Sequence, residues 1–297
     1  MGIPQFFEEM LEKQYETNIV NKIKLGYECQ KKVTLRVNTI KSNINVIKEV
    51  LTKENIEFED VKWNLDALII KNKREEEIKK LNIYDEGKIY LQSLSSMIPA
   101  IILEPNKDEN ILDMAAAPGG KTTQIAAICN NKGLITACEK NKIRAERLKY
   151  NLQKQGVSCV NVMQEDARKL NDYFSFDKIL LDAPCSGSGT LSAITENFTL
   201  QLVERSVNVQ IELLTKALKI LKPGNEMVYS TCSVLSRENE EVLNKVSKKY
   251  RIEIVPINIR NFEGVEFLPV SLKGTICVCP TDLYEGFFVA KIRKLKN

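Results

Sequence analysis

The sequence predicts an α/β protein with a Rossmann-like, mostly parallel sheet, preceded by a small α+β unit. Three observations carry this. Beyond residue 105, short apolar runs bounded by polar or turn residues alternate with helical patterns, as expected of a parallel sheet covered by helices. The first of these runs ends in a turn of small residues, Ala115–Gly120, that leads straight into a helical pattern. Before residue 105 the strand and helix signals are shorter and less regular. A chain of 297 residues suggests about two domains at roughly 150 residues each. The polar stretch Glu104-Pro105-Asn106-Lys107-Asp108 is the natural boundary, dividing an N-terminal unit over 1–105 from a larger unit over 106–297.

In the first unit, apolar spacing predicts a helix over Phe6–Leu25, a strand at Val33–Asn38 and a helix around Asn45–Glu54. Short strands follow near Ile56–Val61 and Leu65–Ile70, then a helix over Ser93–Leu103. In the second unit, strands are predicted at Asn110–Met114, Gly133–Glu139, Ser158–Gln164, Asp177–Asp182 and Glu226–Ser230. The clearest helices between them are Thr122–Cys129, Lys142–Gln155 and Leu200–Leu221. Open parallel sheets bind ligands at the carboxyl ends of their strands, so the residues just past each strand are the candidates for function.

Composition narrows the chemistry. There is no histidine, which excludes Ser-His-Asp and Cys-His catalysis, HExxH zinc sites and every His-ligated metal. Eight cysteines in 297 residues are too few for a disulfide scaffold, and only Cys277 and Cys279 lie close in sequence, so no zinc-binding pattern is completed. No apolar run reaches the roughly 18 residues of a membrane span, and the N-terminus has no signal-peptide pattern. A reduced, cytoplasmic protein is expected. The net charge of +4 permits a nucleic-acid partner without requiring one.

The loop Ala115–Thr122 (AAAPGGKT) has two readings. It nearly matches a Walker A loop, with KILLD at Lys178–Asp182 as a Walker B strand, which would make a P-loop NTPase. Against this, Ala115 stands where the Walker loop needs its first glycine. Glu139 ends the second strand about 20 residues beyond the glycines, where an acid can bind ribose hydroxyls. Asp166 then follows the third strand. Loop, acid and acid at successive strand ends fit a nucleoside cofactor without a triphosphate, with S-adenosylmethionine the leading candidate.

Cys185 and Cys232 fall just past the fourth and fifth strands, in LLDAPCSGSG and VYSTCS. Cys29, Cys129, Cys138 and Cys159 are expected instead to be small buried hydrophobes. A methyl donor beside thiols points to pyrimidine C5 chemistry. C5 is too electron-poor to attack a sulfonium methyl unaided, whereas thiolate addition at C6 makes C5 nucleophilic. An acid at the ring's N3 and amino edge would stabilise that adduct, and Asp182 is suitably placed.

The chain resembles the NOL1/NOP2/Sun family of RNA cytosine-5 methyltransferases. The resemblance runs through LRVNT (Leu35–Thr39), IYLQSLSSM (Ile89–Met97), DMAAAPGGKT, EDAR (Glu165–Arg168), DAPCSGSG, LKPG (Leu221–Gly224), YSTCS, ENEEV (Glu238–Val242) and GFFVAK (Gly286–Lys291). It implies that Ala115, Ala116, Ala117, Pro118, Gly119, Gly120 and Lys121, with Glu139, Asp166 and Asp182, contact S-adenosylmethionine. It also implies that Cys232 is the nucleophile and that Cys185 assists product release. The residues alone do not rank the thiols, because DNA cytosine-5 methyltransferases attack with their Pro-Cys cysteine. Lys121 could bind the Asp182 carboxylate or position the loop. The N-terminal unit is similar to the family's RNA-recognition-like domain. The implied partner is RNA, ribosomal RNA first and transfer RNA as the alternative; a monomer with no metal and no membrane partner is expected. Two departures from the family bear on RNA contacts: Thr275–Asp282 (TICVCPTD) lacks the usual Arg and Pro-His, and Leu191-Ser192-Ala193 follows Thr190 where a basic residue is usual.

Overall fold

The computed structural model describes residues 3–190 and 198–296, so Leu191-Ser192-Ala193 lie outside the described residues. The chain opens with helices α1 (Gln5–Gln14) and α2 (Thr17–Glu28). One helix over Phe6–Leu25 was expected. The break is at Tyr15, whose backbone is extended and whose buried hydroxyl donates to the Val234 carbonyl at 2.8 Å. Continuing the helix would pull Tyr15 off that acceptor. Strand β1 (Val33–Val37), helix α3 (Ile44–Lys53), strands β2 (Phe58–Asp60) and β3 (Ala67–Ile70), short helices α4 (Glu75–Ile78) and α5 (Asn82–Asp85), and strand β4 (Ile89–Leu91) follow. The four strands form an antiparallel sheet in the order β2-β3-β1-β4. Its core gathers Leu35, Val37, Ile47, Leu51, Leu68 and Ile89.

Helix α6 (Leu94–Leu103) leads to strand β5 (Asn110–Asp113), helix α7 (Gly120–Ile128), strand β6 (Leu134–Cys138), helix α8 (Lys142–Lys154) and strand β7 (Val160–Met163). Strand β8 (Phe176–Asp182), helix α9 (Leu200–Ile220), strand β9 (Leu221–Thr231) and helix α10 (Glu240–Ser247) come next. Asn141 and Thr199 start α8 and α9 by accepting from the Arg144 and Leu202 amides, satisfying donors that a helix start leaves open. Strands β10 (Ile252–Val255), β11 (Phe267–Leu268), β12 (Ile276–Val278) and β13 (Phe287–Lys294) complete the larger sheet.

That sheet runs β11-β12-β13-β9-β8-β5-β6-β7, with β10 also paired to β13. Strands β5 to β9 are mutually parallel. The expected parallel strands are therefore present, and an antiparallel extension, β10 to β13, adds to them. The chain steps outward from β5 to β6 and β7, then returns to place β8 on the other side of β5. This reversal opens a crevice at the carboxyl ends of β5 and β8, where open α/β sheets bind ligands.

The N-terminal helices do not complete the small sheet's core. Phe7, Leu11, Val20, Ile23 and Tyr27 join the apolar cluster of the larger sheet, with Phe176, Leu214 and Phe288. Helix α6 likewise packs with α7 and β13 residues such as Ile125 and Val289. Among the described residues no helix is long and apolar enough to cross a membrane.

Candidate active site

Strand β5 ends at Asp113, and the chain turns through Ala115–Gly119 into α7. Gly119 has φ of +110°, a conformation that L side chains rarely adopt, and a Cβ there would also meet Leu148 Cδ1 at 3.0 Å. Asp113 is almost fully buried. It accepts from the Thr122 hydroxyl at 2.7 Å and braces the loop. Burial pushes its carboxyl up to about 6, against the lowering effect of that hydroxyl.

Beside this loop lies a cleft lined by Met114, Ala115, Glu139, Asp166, Pro184 and Leu213. Glu139, 5% exposed, accepts from the Asn141 amide at 2.8 Å and faces Arg144 at 3.5 Å. Asp166 is held by Arg168 at 2.6 Å, and its carboxyl sits below the ordinary range because of that hydrogen bond. Arg144 also donates to the Ala117 carbonyl at 2.7 Å, tying the start of α8 to the glycine turn. Two carboxylates at adjacent strand ends with apolar walls between them form an acceptor set that suits the hydroxyls of a ribose, beside walls that suit a flat base.

Ala115 also lines a second cavity of about 350 Å³, with Ala116, Ala117, Pro118, Gly120, Lys121, Asp182 and Cys232. Lys121 Nζ lies 2.7 Å from Asp182 Oδ2, donates to Ser96 Oγ at 2.7 Å and sits over the Phe287 ring. Burial pulls this ammonium down, but the Asp182 charge and hydrogen bond outweigh it and leave it above its usual value. The other Asp182 oxygen accepts from Ser230 Oγ at 2.8 Å. Of the alternatives for Lys121, the contact with Asp182 is present. With its ammonium committed to Asp182 and Ser96, the Walker-type reading loses its phosphate-binding lysine.

Cys185 and Cys232 meet at the carboxyl ends of β8 and β9, with their sulfurs 2.8 Å apart. Cys232 lines the 350 Å³ cavity. The Cys185 thiol is pushed well above its ordinary value by its hydrogen bond with Cys232, and by burial. The loops bearing the two thiols are pinned together. The Gly189 amide donates to the Cys232 carbonyl at 2.9 Å, and the Gly286 amide donates to the Gly189 carbonyl at 2.8 Å. A Cβ on Gly189 would lie 1.8 Å from the Gly286 oxygen.

The other cysteines follow expectation in part. Cys129 and Cys138 are buried, as are Cys277 and Cys279, but Cys159 is half-buried and Cys29 is exposed. Cys29 lies just past the end of α2, where its thiol reaches back to the Leu25 carbonyl at 3.2 Å in place of apolar contacts. Sequence reasoning also missed contributors. Asp113, Ser96 and Glu238 all sit inside motifs quoted above, but single-residue chemistry gave none of them a role.

A family model described as 16S rRNA methyltransferase RsmB/F matches residues 100–293. The ribosomal RNA small subunit methyltransferase F of Shewanella amazonensis is 35% identical over 89% of this chain, which spans 58% of that relative's length. The tRNA (cytosine(49)-C(5))-methyltransferase of Pyrococcus abyssi is 36% identical, with 88% of each chain covered. A solved structure of NSun6 from Pyrococcus horikoshii with SFG superposes with a TM-score of 0.88 at 26% identity, covering 99% of both chains. A methyltransferase homolog protein from the same organism gives 0.81 at 30% identity, covering 99% of this chain and 100% of that one. Crevice, glycine turn, paired thiols and family match agree: the chain belongs to the RsmB/F family, in keeping with its resemblance to the NOL1/NOP2/Sun proteins.

Proposed function

We propose that this protein is an S-adenosylmethionine-dependent RNA methyltransferase that forms 5-methylcytidine, with Cys232 as the nucleophile. The observation that carries this reading is the thiol pair at neighbouring strand ends, 2.8 Å apart, with Cys232 on the wall that also holds Lys121 and Asp182. The two sulfurs share one hydrogen bond in which either can donate. Having lost its proton to solvent, Cys232 adds as the thiolate to cytosine C6 and makes C5 electron-rich. Asp182 accepts from the amino edge of the ring, with the Lys121 charge beside it as adduct charge develops. S-adenosylmethionine, when bound, supplies an electrophilic methyl group. Loss of the C5 proton to solvent re-forms the C5–C6 double bond as the Cys232–C6 bond breaks and its electron pair returns to the Cys232 sulfur, and Cys185, touching Cys232, assists that release. Glu139 and Asp166 would hold the ribose side of the cofactor, and Ala115–Lys121 would approach it through the backbone.

The unit over 1–105 is proposed to bind RNA and that over 106–297 to carry the chemistry, in a monomer. Ribosomal RNA is the first substrate choice. Transfer RNA is the second reading, favoured by the near-equal length of the Pyrococcus abyssi tRNA enzyme. A cytosine inside a duplex cannot present C6 to a thiol, so the target must be unpaired or flipped out. Labelled S-adenosylmethionine offered with separate pools of unmodified ribosomal and transfer RNA tests the reading. Label recovered as 5-methylcytidine supports it and identifies the pool. Label at any other nucleoside position would overturn it.

A further inference from the structure

From the geometry we infer that Glu238 is a positioning residue, a buried carboxylate clamp that sets the spacing of the two thiols. The inference rests on the cysteine reading above but concerns a residue outside the cavity. Strands β8 and β9 are in register as far as Asp182 and Ser230. Both cysteines lie beyond that point, where the Gly189 amide–Cys232 carbonyl bond and the contact between the Ser188 and Ser233 hydroxyls join the loops, but neither reaches the Cys185 side of the first loop.

Glu238 bridges the gap. Its side chain is completely buried. Its Oε1 accepts from the Ser186 amide at 2.7 Å, and its Oε2 accepts from Ser186 Oγ at 2.6 Å and Ser233 Oγ at 2.7 Å. Ser186 follows Cys185 and Ser233 follows Cys232, so one carboxylate grips the residue next to each thiol. The clamp is itself anchored. The Tyr229 hydroxyl donates to the Glu238 carbonyl at 2.6 Å, and Asn239 Nδ2 donates to the Ser233 carbonyl at 3.0 Å.

A buried carboxylate is costly unless its oxygens are satisfied. Among the described residues Glu238 has no cationic partner, and burial holds its carboxyl above the ordinary range despite the serine bonds. A neutral amide would avoid the charge but has only one acceptor oxygen, whereas three close donors converge here and need two. The site therefore uses an acid because it must accept on both sides at once. Helix α10 alone does not require it, since Glu238 precedes the first helical residue, Glu240.

The test reads thiol spacing without RNA or cofactor, so it stands or falls separately from the methyltransferase reading. The full-length protein and its E238Q and E238A variants are equilibrated in glutathione buffers. Glutathione disulfide is reduced to two glutathiones as Cys185 and Cys232 are oxidised to a disulfide, and the 185–232 linkage is quantified by mass spectrometry. Because disulfide formation depends on how often the sulfurs meet, the equilibrium constant should fall about tenfold in E238Q and about a hundredfold in E238A. On the activity side kcat should fall while cofactor Kd stays near the parent value, with E238Q less impaired than E238A. If E238A does not fold, E238Q and the double variant S186A/S233A carry the same prediction. A folded variant whose disulfide equilibrium stays within about twofold of the parent would overturn the clamp.

Discussion

The two halves of the crevice are held together in different ways. On the cofactor side each acid is satisfied by a near neighbour in sequence: Glu139 by the Asn141 amide and Asp166 by Arg168. On the thiol side the contacts span the chain. Lys121 meets Asp182, Glu238 meets Ser186, and Gly286 meets Gly189. Local contacts form whenever a strand ends in the right turn, whereas the long-range ones require the whole sheet to assemble. The cofactor half should therefore tolerate single substitutions better than the thiol half.

The largest expected effect is at the junction of the two. Lys121→Met removes the charge facing Asp182 and should lower kcat by about 10²–10³-fold, with cofactor affinity changed far less. Equal losses in kcat and cofactor affinity, by steady-state kinetics and calorimetry, would assign Lys121 to the cofactor side. Next is Gly189→Ala, whose Cβ would meet the Gly286 oxygen at 1.8 Å. Overpacking against backbone should cost about 3 kcal/mol in denaturant unfolding. A loss no larger than that of Asp166→Asn would erase the contrast between the halves.

Asp113 sharpens the comparison through pH. Its folded value of about 6 lies above the ordinary 3.8, so the folded state holds this proton more tightly than the unfolded state does. The resulting stabilisation is complete below about pH 3.8 and is lost as pH rises through about 6. It amounts to about 3 kcal/mol as an order of magnitude. Asp113→Asn should flatten the stability profile between those limits, and an unchanged profile would reject the assignment. The smallest effect belongs to Asp166→Asn, a part-exposed acid with its own Arg partner, at about 1 kcal/mol of cofactor binding.

The same division decides what could be read from the sequence. The glycine turn, Glu139 and Asp166 are each separated by one helix and one strand, so their spacing alone places them along one edge. The antiparallel extension beyond β9 was not legible as strands, because β10, β11 and β12 are two to four residues long and β13 stood out only as the GFFVAK motif at Gly286–Lys291. The break at Tyr15 was invisible because its cause, the Val234 carbonyl, is 219 residues away. Glu238 and Ser96 stood inside quoted motifs, but a glutamate or serine without its partners carries no role. The rank of the thiols stays open to the residues alone, since both follow strands and both stand in polar loops.

The most direct test is to incubate the Cys185→Ala and Cys232→Ala variants with substrate RNA and S-adenosylmethionine, then denature and look for protein–RNA adducts. The account predicts that Cys185→Ala accumulates an adduct whose RNA is attached at Cys232, because release stalls after attack. It predicts no adduct and no methyl transfer from Cys232→Ala. An adduct formed by Cys232→Ala through Cys185 would contradict it and reverse the two roles.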